Sequence, residues 1–80
     1  MKPEKIVVYS KNNCPYCVAA KSLLANKGLS FEEIDVGQDS TQLQKMIEKS
    51  QRRTVPQIFF DDEHIGGFVE LRDLFFKQSA

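Results

Sequence analysis

The sequence predicts a single α/β domain with a four-stranded mixed sheet and three helices, in the order βαβαββα. Two observations lead to this prediction. Short apolar runs alternate with segments of helical periodicity along the chain, and the last two apolar runs are too close together for a helix between them. Eighty residues allow only one small core, so we expect one domain to span residues 1–80.

The first half of the chain predicts a βαβ unit. Residues Lys5–Ser10 form a nearly continuous apolar run that suits an interior strand. Cys14 then occupies a cap position and Pro15 the first helical turn, where its missing N–H has no cost. The helix is expected to stop at Gly28, and a second strand to span Phe31–Val36. A helix between two strands of one sheet requires these strands to be parallel.

A second helix follows the turn after this strand. Asp39 or Ser40 is expected to be its N-cap. Its apolar face is given by positions at the spacing i, i+3, i+4 and i+7, which we expect to be core: Leu43, Met46, Ile47 and Ser50.

The last part of the chain predicts an antiparallel hairpin and a final helix. Gln57–Phe60 is the third strand, the polar tetrad Asp61–His64 is the turn, and a brief fourth strand begins at Ile65. Gly66-Gly67 ends that strand, and the third helix begins at about Phe68. The histidine of the tetrad is expected to be an exposed turn residue.

Composition narrows the possible partners and the compartment. Eleven basic and eleven acidic side chains cancel, so no overall charge favours nucleic acid or an anionic membrane. No apolar run approaches the ~20 residues that span a bilayer, and the N-terminal residues lack the apolar core of a signal peptide. We therefore expect a soluble protein of the reducing cytoplasm, with no nucleic-acid or membrane partner.

Both cysteines of the chain lie in one short motif, Cys14 and Cys17, at the predicted start of the first helix. This i, i+3 spacing places them on one face, close enough to form a disulfide. The helix start and the nearby Lys11 favour a thiolate at Cys14. A CxxC motif beside a βαβ unit is typical of thioredoxin-like redox proteins. Zinc would need about two more ligands, and the chain offers only one histidine, His64, so no metal site is expected.

Three segments resemble the signatures of the glutaredoxins: Cys14-Pro15-Tyr16-Cys17, Thr54-Val55-Pro56 and Gly66-Gly67. The resemblance covers nearly the whole chain, and the Pro-Tyr pair is similar to the dithiol CPYC class of small bacterial-type glutaredoxins. It implies a thioredoxin fold with strand order 2-1-3-4. It also implies no permanently bound cofactor, with glutathione as the reducing co-substrate.

The same resemblance implies the roles of individual residues. Cys14 is the nucleophile and Cys17 the resolving thiol, and a cis bond before Pro56 presents the backbone of Val55 to glutathione. Lys11, with Arg52 or Arg53 and Gln57, holds the glycyl carboxylate, although the two arginines alone would also fit an ordinary exposed loop. The implied glutathione-binding residues are Lys11, Tyr16, Arg52, Arg53, Thr54, Val55, Pro56, Gln57, Gly67, Phe68, Val69 and Glu70.

The chain departs from the family pattern at the head of the last helix. Phe68 and Val69 stand where glutaredoxins often have small or polar residues. Their backbone amides can still bind the γ-glutamyl carboxylate, but a side-chain partner is lost. Glu70 can meet the γ-glutamyl ammonium group.

The expected function is that of a glutathione-dependent thiol–disulfide oxidoreductase that reduces protein disulfides and glutathionylated proteins as a monomer. Two alternatives stay open. One is an iron–sulfur-cluster-binding glutaredoxin, against which Pro15 and Tyr16 argue. The other is a redoxin reduced by thioredoxin reductase, which is compatible with Val69.

Overall fold

A computed structural model describes the backbone of residues 3–79 and the side chains of residues 3–77. Its elements follow the predicted order, and their bounds are β1 Ile6–Ser10, α1 Pro15–Asn26, β2 Glu32–Asp35, α2 Ser40–Ser50, β3 Gln57–Phe60, β4 Glu63–Gly66 and α3 Phe68–Ser79.

The four strands form one mixed sheet in the order β2-β1-β3-β4. β1 pairs parallel with β2 and antiparallel with β3, and β3 pairs antiparallel with β4. This is the strand order of the thioredoxin fold, as the resemblance implied. The sheet brings the ends of β1 and β2 to the same edge as the start of β3, since β3 runs in the opposite direction.

Helices cover the sheet on both faces, which explains why β1 and β3 are apolar on both sides. On one face α1 and α3 pack around a cluster made of Ile6, Val8, Ala20, Leu24, Ile58, Phe60 and Leu71. On the other face α2 covers a smaller cluster made of Tyr9, Val36, Met46 and Phe59. The predicted apolar face of α2 is confirmed, since Met46 and Ser50 are buried and Leu43 and Ile47 pack against the second cluster.

The predicted helix ends are confirmed at three places. Cys14 is the N-cap of α1, and Asp39, rather than Ser40, is the N-cap of α2, where its side chain accepts from the N–H groups of residues 41 and 42. Gly28 has a φ of 73°, the left-handed conformation that commonly ends a helix at glycine.

The hairpin differs from its prediction. β4 begins at Glu63, two residues before Ile65, and the turn consists of Asp61 and Asp62 alone, whose φ values are 50° and 70°. Positive φ at both central residues is the geometry that matches the twist of a tight hairpin. The pairing then shifts by one residue between Phe59 and Ile58, because β4 contains a bulge. The interpretation of His64 as an exposed turn residue is wrong: it lies half-buried within β4.

Candidate active site

Cys14 is held at the junction of β1 and α1. Asn13, just before it, has a φ of 58°, which asparagine tolerates better than most residues, and this turn directs the chain into the helix. The Cys17 N–H donates to the Cys14 sulfur at 3.2 Å, so the sulfur caps the helix as a serine or aspartate side chain would. A negative charge on this sulfur is stabilised by the donated hydrogen bond and by the positive end of the helix.

Cys17 has the opposite environment. Its side chain is only 1% exposed, against a half-buried Cys14. Burial, followed by the hydrogen bond with Cys14, raises the pKa of the Cys17 thiol to about 11. Both cysteines are free thiols, and the fold therefore pairs one accessible sulfur at the helix start with one buried sulfur whose pKa is raised.

The loop before β3 approaches the same point from a distant part of the sequence. The Val55–Pro56 peptide bond is cis, as the resemblance implied. The Cys14 thiol donates to the Val55 carbonyl at 3.8 Å, a long contact that sulfur can make. The backbone of this loop therefore lies directly beside the Cys14 sulfur.

Two cavities lie on either side of this junction and share Thr54 and Val55. The cavity next to α3 has a volume of about 200 Å³. It is lined by Tyr16, Arg52, Thr54, Val55, Pro56, Gln57, Gly67, Phe68, Val69 and Glu70. The cavity next to α2 has a volume of about 610 Å³. It is lined by Lys11, Asn13, Cys14, Pro15, Val36, Gly37, Leu43, Arg53, Thr54 and Val55.

The structure thus brings together Cys14 and all twelve residues that the resemblance placed around glutathione. Val36, Gly37 and Leu43 also line the α2-side cavity, and they were not predicted as site residues from the sequence. Two of these could have been found, because β1 and β2 are parallel and the residues just after them must meet at one edge of the sheet. Gly37 is close enough that an added Cβ would lie 3.3 Å from the Lys11 Cβ.

The two arginines of the loop before β3 line different cavities. The Arg52 guanidinium donates to Glu70 Oε1 at 3.1 Å on the α3 side, whereas Arg53 lines the α2-side cavity together with Lys11. The same Glu70 oxygen accepts from the Gly67 N–H at 2.6 Å. This N–H, together with Arg52, holds the pKa of Glu70 below its ordinary value, although burial opposes it. Glu70 is therefore a capping residue that also balances the charge of Arg52.

The Gln57 side chain is buried, unlike that of a residue that binds a ligand at the surface. It is 1% exposed and its side-chain amide donates to the Thr54 carbonyl at 3.0 Å and to Thr54 Oγ1 at 3.3 Å. Its side-chain oxygen is 2.7 Å from Nε2 of His64. Burial, and then the charge of Arg52, hold the pKa of His64 below its ordinary value, against the effect of Glu70. Gln57 thus makes its contacts inside the protein.

Residues 3–79 contain no group of three or more His, Cys, Asp or Glu side chains that could hold a metal ion. Within the same residues, no helix has the length and apolar character needed to cross a membrane.

Comparison with known proteins agrees with this geometry. The glutaredoxin family model matches residues 6–65. The chain belongs to the glutaredoxin family. It is 47% identical over 66 residues to glutaredoxin 3 of Escherichia coli K12, a match that covers 82% of this chain and 80% of that protein. Thiol–disulfide exchange that depends on glutathione, the activity of glutaredoxins, is therefore the activity of this protein.

Solved glutaredoxin structures share the fold. The solution structure of a Brucella melitensis glutaredoxin has a TM-score of 0.82 and 39% identity, covering 96% of this chain and 84% of that one. The crystal structure of a buckwheat glutaredoxin–glutathione complex has a TM-score of 0.84 and 28% identity, covering 91% of this chain and 69% of that one.

The difference between the two thiols predicts selective alkylation. With a pKa of about 11, only about one Cys17 side chain in a thousand is a thiolate at pH ~8, and the residue is also buried. We expect iodoacetamide to modify Cys14 of the reduced protein rapidly and Cys17 only after denaturation, as measured by peptide mass spectrometry. Equal labelling of both residues in the folded protein would contradict this assignment.

Proposed function

We propose that Cys14 is the nucleophile of this glutaredoxin and that Cys17 is its resolving thiol. The observation that carries this proposal is the position of the Cys14 sulfur in the α2-side cavity, between the Cys17 N–H at 3.2 Å and, at 3.8 Å, the carbonyl of Val55, a residue that lines both cavities. This sulfur is accessible and its negative charge is stabilised. The Cys17 sulfur is neither, so it can react only after Cys14 has formed a disulfide beside it.

With a glutathionylated protein, the Cys14 thiolate attacks the glutathione sulfur. A bond forms between that sulfur and Cys14, and the client leaves as its thiolate. A second glutathione, as its thiolate, then attacks the glutathione sulfur of the mixed disulfide, which yields oxidised glutathione and regenerates the Cys14 thiolate. Cys17 takes no part in this cycle.

With a protein disulfide, Cys14 attacks one client sulfur and releases the other as a thiolate. Cys17 then loses its proton and attacks the Cys14 sulfur, so that a Cys14–Cys17 disulfide forms and the second client thiolate leaves. Two glutathione molecules subsequently reduce this disulfide in successive exchanges. The i, i+3 positions of the two cysteines on the first turn of α1 support this step.

Glutathione is proposed to lie across the two cavities. Its cysteinyl part would pair with the Val55 backbone beside Cys14, and its γ-glutamyl end would lie in the α3-side cavity. There the first-turn amides of α3 have no intrahelical acceptor and suit the carboxylate, while Glu70 suits the ammonium group. The glycyl carboxylate would lie near Lys11 and Arg53 on the α2 side. The buckwheat complex supports glutathione as the ligand of this groove.

The proposed position of glutathione also assigns roles to Arg53 and Gln57, which the sequence left open. Arg53 is the proposed partner of the glycyl carboxylate, because Arg52 already pairs with Glu70. Gln57 is proposed to support the groove from inside, because its side chain is buried and bonded to Thr54 and His64. We also propose that residues 1–80 act as one monomeric domain in the reducing cytoplasm, on glutathionylated and disulfide-bearing proteins.

A coupled assay tests the electron donor. Reduction of a glutathionylated peptide is followed through NADPH oxidation, with either glutathione plus glutathione reductase or thioredoxin reductase alone. We expect turnover only with the glutathione system, and the active species to elute at the mass of one 9.2 kDa chain. Turnover supported by thioredoxin reductase alone would rule out the glutathione-dependent groove.

Substitution of the resolving thiol separates the two cycles. Cys17→Ser should keep the rate of deglutathionylation within about twofold of the parent, because that cycle uses Cys14 alone. Reduction of a protein disulfide should fall by at least about tenfold, since the client mixed disulfide can no longer be resolved internally. Both rates are measured in the same coupled assay, and undiminished reduction of protein disulfides by Cys17→Ser would show that the dithiol cycle is not used.

The cations of the α2-side cavity predict a change in KM. Lys11→Met and Arg53→Met should each raise the KM for a glutathionylated peptide by about three- to tenfold with kcat nearly unchanged, the result of losing a partly solvated charged contact to the substrate. Added salt should affect the variants less than the parent. Lys45→Met is the matched control, because Lys45 is exposed on α2 and lines neither cavity. An equal rise in KM for Lys45→Met would show that Lys11 and Arg53 do not bind the substrate in the proposed groove.

A further inference from the structure

The loop that faces Cys14 lies outside the sheet, and only its last two residues contact the core, where Val55 packs against the second cluster and Pro56 is buried. The pairing of β3 with β1 begins at Gln57, so residues 51–56 lie outside the sheet. Arg53 and Thr54 are exposed, and Val55 is only partly buried. Apolar packing therefore does not fix residues 51–54, which precede the Val55 carbonyl at 3.8 Å from the Cys14 sulfur.

Polar side chains tie this loop at both ends. At its start, the buried Ser50 hydroxyl accepts from the Arg52 N–H at 3.0 Å and donates to the Met46 carbonyl at 2.7 Å. At its end, the Gln57 side chain reaches back to both the carbonyl and the hydroxyl of Thr54. These contacts extend the order of α2 and β3 into the segment between them.

Gln57 is itself fixed by His64. Since the Gln57 amide nitrogen donates to Thr54, its oxygen must be the acceptor, and His64 Nε2 carries the proton of the 2.7 Å hydrogen bond. The imidazole also lies against the Phe59 ring, with ring centroids 5.1 Å apart. The contacts run without a break from β4 through Gln57 and Thr54 to the carbonyl that faces Cys14.

We propose that Gln57 and His64 act as a pair of positioning residues, which hold the Thr54–Val55 backbone at the distance from Cys14 that aligns a glutathione mixed disulfide. Neither side chain needs to touch the substrate in this role. The effect on catalysis rests on the proposed glutathione groove, whereas the ordering of the loop does not.

A double variant separates positioning from simple stabilisation. His64→Phe alone leaves the Gln57 oxygen buried without a donor, and Gln57→Met alone leaves Thr54 and His64 without their partner, so each single variant is expected to lose stability. Gln57→Met with His64→Phe replaces the buried donor and acceptor by apolar groups of similar shape. The Thr54 groups that lose Gln57 belong to an exposed residue that water can reach, so the double variant can be nearly neutral for stability. Gln44→Met is the control, since Gln44 is exposed on α2 and lines neither cavity.

Three measurements compare the double variant with the parent and with Gln44→Met, under conditions in which the proteins have the same thermal stability. The rate constant for reaction of Cys14 with a glutathionylated peptide should fall about tenfold, the effect of losing about one aligned hydrogen bond to the substrate. Alkylation of Cys14 by iodoacetamide should stay within about twofold, because that reagent does not use the groove. The NMR order parameters of the Thr54 and Val55 amides should fall from the rigid value of about 0.85 toward about 0.6.

Two results overturn the proposal. One is a double variant with unchanged order parameters at Thr54 and Val55. The other is a loss of alkylation as large as the loss of deglutathionylation, which would place the effect on the thiol itself. If the parent protein shows no preference for a glutathionyl over a simple alkyl mixed disulfide, the proposed groove is wrong, and the order parameters alone then decide whether Gln57 and His64 position the loop.

Discussion

The hydrogen bond from the Cys17 amide to the Cys14 sulfur is the interaction on which the chemistry of this fold depends. It exists because α1 begins one residue after Cys14, so that the sulfur occupies the place of an N-capping oxygen. The same helical turn carries the Cys17 side chain inward, where it is 1% exposed. One backbone geometry therefore gives two identical side chains opposite environments, because the Cys14 sulfur is partly exposed and accepts an N–H while the Cys17 sulfur is buried.

The groove around this sulfur has a different origin. It is assembled from the ends of β1 and β2, the loop before β3 and the head of α3, which only the sheet order brings together. Parallel pairing of β1 with β2 places Lys11 and Gly37 on one side, and the opposite direction of β3 places Val55 between the two cavities. A loop at such a meeting point cannot rely on strand pairing, which is why buried polar side chains at its two ends are important for its shape.

Local signals in the sequence were sufficient for most elements. The N-cap residues, the glycine stop and the apolar face of α2 depend on neighbours within one or two helical turns, and such patterns are visible in a single sequence. The position of His64 was not predictable in this way. Four consecutive polar residues, Asp61 to His64, do not show where the strand resumes, and the bulge in β4 removes the alternation of exposed and buried side chains that would reveal it. The strand order and the cis bond before Pro56 came from the family resemblance and not from residue patterns.

The start of α3 shows why residue types alone could not predict which ligand group this part of the groove favours. Replacement of polar family residues by Phe68 and Val69 removes side-chain donors, and from the sequence this suggested a weaker anion site. The structure shows that Glu70 already accepts the Gly67 N–H and pairs with Arg52. An incoming lone carboxylate would meet the remaining first-turn amides but also the negative charge of Glu70. A group that carries an ammonium as well as a carboxylate would place its carboxylate on these amides and its ammonium beside Glu70. In the proposed groove, the loss of side-chain donors therefore favours a zwitterionic end over a simple anion. If glutathione binds in the proposed groove, its selectivity would depend on the balance between Arg52 and Glu70 more than on Val69.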